Sequence, residues 1–264
     1  MTAARARGFT LVEALTVTSV IGVVIAIIVP TVSTLRGSAR SARCQSNLRQ
    51  LGVAANAYAM QNRDRYPAAI LYELTAAGLV TKAWDFEQGP GGAVRPGAIA
   101  SFLSNPTEVQ QCPDFHGPST FGADPYTGYN YNTSYIGAEG RFPELDANGR
   151  WRDGWDVARQ GLPTARHRRT TTTALFGEGG WRGGANKFMR APSNAVENDL
   201  YTIHAGTQAF RHQGCTHVCY LDGHVNGVCA CHESPHSNAE LLAGVTGFPQ
   251  NGFLAEDDSP YDPR

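Results

Sequence analysis

Apolar positions along this chain change rhythm near Pro30. From Phe9 to Val29 they are almost continuous: twenty-one residues carry one charge, Glu13. As a helix rising ~1.5 Å per residue the run spans about 31 Å, the thickness of a bilayer's hydrocarbon core. Val and Ile are abundant in it, but a strand of that length would be abnormal, so the pattern predicts a membrane-spanning helix. Beyond Pro30 the rhythm becomes helical and one-sided. Cys44, Leu48, Leu51, Ala55 and Tyr58 recur at spacings of four, three, four and three, against a face bearing Arg43, Arg49, Gln50 and Asn56. The prediction is a spine helix to about Asn62, roughly 80 Å long and kinked near Gly22 or Pro30, its second half packed on a globular domain.

From Pro67 onward the elements are short and punctuated. Leu71 to Val80 reads as a short helix, and Thr170 to Phe176 and Thr216 to Leu221 read as strands. Gly89 to Gly97 and Gly177 to Gly184 read as glycine-rich loops; neither has the spacing that cradles a phosphate, which argues against nucleotide binding. Asp222-Gly223 is a two-residue hairpin signal, since both residues tolerate the positive φ of a type I′ turn. In that register Leu221 faces His224 and Cys215 lands near Ala230. The last residues, with Glu256, Asp257, Asp258 and two prolines, read as a mobile acidic tail.

The apolar run is preceded by MTAARARG, a leader with Arg5 and Arg7 and no acid, which biases that end to the cytoplasmic side. A secretory signal carries its small-residue cleavage site after the apolar run. Here the small residue, Gly8, comes before it. The arrangement resembles type IV prepilins and type II secretion pseudopilins, whose hallmark G-F-T-L-x-E is present as Gly8, Phe9, Thr10, Leu11 and Glu13. The resemblance implies cleavage between Gly8 and Phe9 by a prepilin peptidase, methylation of the new amino terminus, and a proline about where Pro30 stands. It also implies that Glu13 pairs with a neighbouring subunit's terminal amine during assembly. A carboxylate costs about 2.5–3.5 kcal/mol at the centre of a membrane helix and less near an interface, so a Glu solvated by headgroups is the plain alternative.

A second resemblance runs further along the chain. Arg43 to Pro67 carries C-x-x-N-L-R-Q-L-G, Gln111-Cys112-Pro113-Asp114 is followed by Gly128-Tyr129-Asn130-Tyr131-Asn132, and nine residues separate His212 from Asp222-Gly223. These features are similar to the bacterial prepilin-type processing-associated H-x9-DG proteins. The two resemblances imply an α+β, lollipop-shaped subunit, with a long N-terminal spine helix packed on an antiparallel β-rich domain. The divisions expected are a leader at 1–8, a transmembrane assembly helix at 9–29, an amphipathic spine at 30–63, a globular domain at 64–250 and the tail at 251–264.

The H-x9-DG signature invites a metal reading, but ten residues of strand reach up to about 33 Å, so His212 and Asp222 meet only if the chain bends sharply between them. The simpler expectation is a structural hairpin with His212 hydrogen-bonding at the strand start.

The six cysteines form two groups. A Cys44–Cys112 bridge would close a loop of about seventy residues, worth about 4 kcal/mol in the chain-entropy model, and tie the spine to the domain. Cys215, Cys219, Cys229 and Cys231, with His217, His224 and His232, fit two disulfides or a structural zinc. The run CACH is one residue short of a haem-attachment motif. Calcium through Asp222, Asp114 and Glu178 stays open, although no twelve-residue calcium loop is present. Otherwise no cofactor is expected.

Charge adds one exclusion. The chain has 22 basic and 23 acidic residues, and losing Arg5 and Arg7 with the leader leaves 20 against 23, with no basic bias toward nucleic acid. No nucleophile-elbow or zinc-protease motif is present, so an enzyme is not expected. The expected product is a single-pass protein of the bacterial inner membrane whose C-terminal domain lies in the periplasm or on a filament. Its partners would be the peptidase and other pilin-like subunits, in a homo- or hetero-filament. A membrane-anchored periplasmic binding module that never polymerises is the alternative.

Overall fold

The computed structural model describes residues 10–115, 117, 124–126, 128–137, 161–180, 187–194, 206–233 and 251–264. Gly8 and Phe9 lie outside the described residues. The fold is α+β. Helix α1 spans Leu11–Gln61, with Pro30 inside it. The chain divides into two units, Met1–Ala42 and Arg43–Arg264.

The first unit contributes a helical surface whose apolar side chains are exposed among the described residues. Leu11, Leu15, Val20, Ile21, Val24, Ile25, Ile28 and Val29 are all exposed. It is the one helix among the described residues long and apolar enough to cross a membrane. Its hydroxyls suit such a setting. Thr16, Thr18, Ser19 and Thr31 each donate to a carbonyl three or four residues earlier, so these hydroxyls are paired within the helix.

In the second unit, the α1 stripe is buried as its spacing requires: Cys44, Leu48, Leu51 and Ala55 are fully enclosed. Asn47 beside the stripe, and Asn56 from the face expected to be polar, donate to backbone carbonyls of the domain, Asn47 to Glu108 and Gln111, and Asn56 to Leu221.

Eleven strands follow among the described residues: β1 (Ile70–Thr75), β2 (Gly78–Ala83), β3 (Phe86–Gln88), β4 (Val94–Pro96), β5 (Asn130–Asn132), β6 (Ala174–Gly177), β7 (Phe188–Met189), β8 (Gln208–Ala209), β9 (Thr216–Tyr220), β10 (Val225–Val228) and β11 (Asn251–Gly252). They form a β1-β2-β3-β4 meander, a five-stranded sheet ordered β10-β9-β6-β5-β7, and a β11-β8 pair. The five-stranded sheet is mixed, because β5 and β7 run parallel. Its core holds Trp84, Tyr131 and Phe176, with ring centroids 5.0–5.8 Å apart.

Three expectations change. Leu71 to Val80 is not a helix but most of the β1–β2 hairpin. Ala76 and Ala77 turn the chain, and the left-handed φ of 126° falls on Gly78. Within Gly89 to Gly97, Val94–Pro96 is a strand. Nor is the end of the chain a free tail: β11 pairs with β8, and Phe253 and Tyr261 are fully buried. Their aromatic area outweighs the acidic charges, which stay at the surface on Glu256 and Asp257.

Candidate functional site

Two places among the described residues are candidates for a functional role. At the helix start, Thr10 is the N-cap and Glu13 the third helical residue. The Thr10 amide donates to Glu13 Oε2 at 2.8 Å, and the Glu13 amide donates to Thr10 Oγ at 3.2 Å. This is a capping box, which satisfies two amides that the first turn leaves without partners. Its sequence signal is T-x-x-E before an apolar run, at Thr10 to Glu13, a pattern the prepilin hallmark overlaps and so obscures. Glu13 therefore has a partner within its own chain.

The second place is buried in the Arg43–Arg264 unit. The register of β6 with β9 runs Phe176 to Cys219 and Gly177 to Val218, so its continuation sets Glu178 opposite His217. The His217 amide donates to Glu178 Oε2 at 3.1 Å, and its Nδ1 lies 3.2 Å from Glu178 Oε1. The same Oε1 is 2.7 Å from His212 Nε2, whose other nitrogen is 3.1 Å from Asp114 Oδ2. Burial opposes the Glu178 charge, but the bonds from His212 and His217 and the Arg211 guanidinium outweigh it and hold the carboxyl at about 2. Burial likewise works against charge on His212, yet contacts with Cys112 and Glu178 raise it to about 9.

Cys44 from α1 and Cys112 complete this cluster. Both are fully buried free thiols with sulfurs 3.2 Å apart. The hydrogen bond from Cys44 outweighs burial and lowers Cys112 to about 6, while the same bond pushes Cys44 up. The structure thus brings the expected pair together without the expected bridge. Gly128, at φ 106°, makes room for them: a Cβ there would lie 2.3 Å from Cys112 Cβ.

His212 reaches the cluster through a turn the sequence analysis placed elsewhere. His212 and Cys215 bond reciprocally across Gln213 (φ 56°) and Gly214 (φ 83°), the two positive φ values of a type I′ turn. At Asp222-Gly223, by contrast, the Gly223 amide donates to Tyr220 O and only Gly223 is left-handed, at φ 90°. That loop has three residues, Leu221 to Gly223, and Tyr220 faces His224. The extra residue shifts the register by one, so Cys215 meets Cys229 and is disulfide-bonded to it.

Where two disulfides or a structural zinc are expected from these cysteines and histidines, the structure has one bridge, Cys215–Cys229. Cys219 is buried under α1 and Cys231 is exposed, both free. Asp222 does not join His212. It accepts from the His224 amide at 3.1 Å and faces His224 Nδ1 at 2.6 Å within the turn. Of the three oxygen ligands considered for calcium, Asp114 and Glu178 share His212 as a partner and Asp222 belongs to the hairpin.

No family model, curated protein or solved structure matches this chain.

Proposed function

We propose that this chain is a pilin-like structural subunit, trimmed before Phe9 by a prepilin peptidase and assembled with other pilin-like subunits into a type II secretion pseudopilus or type IV pilus-like filament. The observation that supports it best is the exposed apolar helix with a single carboxylate in its first turn, joined to a unit with its own core. Such a surface is stable in a bilayer and, once withdrawn from it, against the apolar helices of other such subunits. Glu13 then sets register by meeting the amine of a neighbouring Phe9. The subunit is held in the bacterial inner membrane before assembly, with the second unit on the periplasmic side.

The capping box favours a second reading, a membrane-anchored module that does not polymerise, because it gives Glu13 a role inside one chain. Intact mass and N-terminal sequence of the membrane-purified protein test the first: a chain beginning at methylated Phe9 supports processing, and one beginning at Met1, Thr2 or beyond Val29 rejects it. Two substitutions separate the roles of Glu13. Glu13→Gln keeps the capping box and loses the charge, whereas Glu13→Leu loses both. Under the filament reading both insert normally and neither enters filaments. Glu13→Gln incorporating like the parent chain would reduce Glu13 to a cap.

A further inference from the structure

The thiol, imidazole and carboxylate donors of the buried cluster come from four distant segments, at Cys44, Cys112, Glu178 and His212, yet lie within 4.8 Å of one another. We propose that Cys44, Cys112, Glu178 and His212 form a closed, structural zinc site. Bonds of about 2.3 Å to sulfur and about 2.0–2.2 Å to nitrogen and oxygen set tetrahedral donors roughly 3.3–3.8 Å apart. The two sulfurs, at 3.2 Å, and His212 Nε2 and Glu178 Oε1, at 2.7 Å, need move only slightly apart to admit the ion between them.

The surroundings orient these donors as the groups behind a metal's own ligands do. Asp114 holds His212 by Nδ1, which leaves Nε2 for the ion, the carboxylate–histidine–zinc arrangement. His217 holds Glu178 through its amide and Nδ1, and Gln45 Nε2 lies 3.0 Å from the far nitrogen of His217. The Tyr129 hydroxyl is buried beside Cys44 and Cys112 without a hydrogen bond of regular geometry, a spare donor for a thiolate sulfur.

Charge also fits. Two thiolates and one carboxylate around Zn²⁺ leave one net negative charge, and Arg211, which donates to the carbonyls of Gly128 and Gly179, supplies a nearby positive one. Binding forms two Zn–S bonds, one Zn–N and one Zn–O. It releases to solvent any proton the two sulfurs still hold and the proton between His212 Nε2 and Glu178. Four protein donors leave no open position, so the ion would fasten α1 to the sheet rather than catalyse.

The test uses the full chain, extracted in detergent, reduced, stripped with a chelator and then titrated with Zn²⁺ against a chromophoric competitor. Elemental analysis should give one zinc per chain, and Co²⁺ in its place should show thiolate-to-cobalt absorption. Cys112→Ser should abolish binding. Asp114→Asn, which touches no ion and sits at the edge of the cluster, should fold normally and weaken binding about 10- to 100-fold. Cys231→Ser should leave zinc unchanged. A reduced chain that stays metal-free overturns the site, as does zinc that survives Cys112→Ser. So does a purified chain whose Cys44 and Cys112 are disulfide-bonded and cannot be loaded after reduction.

Discussion

Gly52 of α1 lies directly against Cys219 of β9: a Cβ at Gly52 would come 2.5 Å from the Cys219 sulfur. Cys219 is fully buried, so its sulfur has nowhere to retreat. Alanine ordinarily favours a helix by about 1 kcal/mol over glycine, but overpacking a core costs about 1–3 kcal/mol. Gly52→Ala should therefore destabilise the protein in urea unfolding. Removing the sulfur should reverse the sign: in a Cys219→Ala background, the same substitution should be neutral or stabilising. A double-mutant cycle with no coupling between the two would show that the helix docks elsewhere.

That contact marks the boundary of what the sequence discloses. The stripe Cys44, Leu48, Leu51 and Ala55 was legible because a 3.6-residue period leaves one solution for which face is buried. What the stripe packs on was not, because Cys219 is 167 residues further along. Both misread hairpins share one cause. At Ala76-Ala77 and Leu221-Asp222 the central residues keep ordinary φ and the following glycine, Gly78 or Gly223, takes the positive value. Such turns, two residues at Ala76-Ala77 and three at Leu221 to Gly223, have a weaker signature than Asn-Gly or Asp-Gly at the centre of a two-residue turn. The buried cluster was legible only as separate letters. Cys44, Cys112 and His212 each stood out, but Glu178 joins them only through the β6–β9 register, which no local pattern encodes.

Tyr261 anchors the chain's last residues in the core. It is fully buried, its hydroxyl accepts from the Leu254 amide at 2.8 Å, and its carbonyl accepts from Asn132 at 2.9 Å. Tyr261→Ala should cost about 3–5 kcal/mol, the usual range for an enclosed aromatic. Tyr261→Phe keeps the ring but strands the Leu254 amide, at about 1–3 kcal/mol. Chemical denaturation measures both. A near-zero effect of Tyr261→Ala would restore the picture of a free tail.

Lys187 is 1% exposed and faces two acids, with Nζ 2.7 Å from Asp85 and 3.1 Å from Asp124. It also lies 4.0 Å from the centre of the Phe86 ring. Burial pushes the Asp85 carboxyl up to about 7 even with the ammonium beside it. Lys187→Met should cost about 3–5 kcal/mol, because it leaves buried carboxylates without a counter-charge. Replacing Asp85 by Asn in that background should recover part of the loss at neutral pH. Equal stability of the single and double variants would mean that Asp124 bears the penalty.

His167 stacks on Tyr66 with ring centroids 5.1 Å apart, and its buried Nε2 has no hydrogen-bond partner. Burial therefore pushes the imidazole down from 6.5 to about 4. The unfolded chain takes up a proton at His167 below pH 6.5 and the folded chain does not until near pH 4. Its contribution to stability is thus complete above pH 6.5 and is lost as the pH falls toward 4. The imidazole is partly exposed, so solvent screening reduces the effect. His167→Phe keeps the stacking and removes the titration. Its urea midpoint should fall less steeply than that of the parent chain between pH 6.5 and 4, and the two should run parallel above pH 7. Parallel curves throughout would mean that the ring is protonated in the fold and that Tyr66 stacks on a cation.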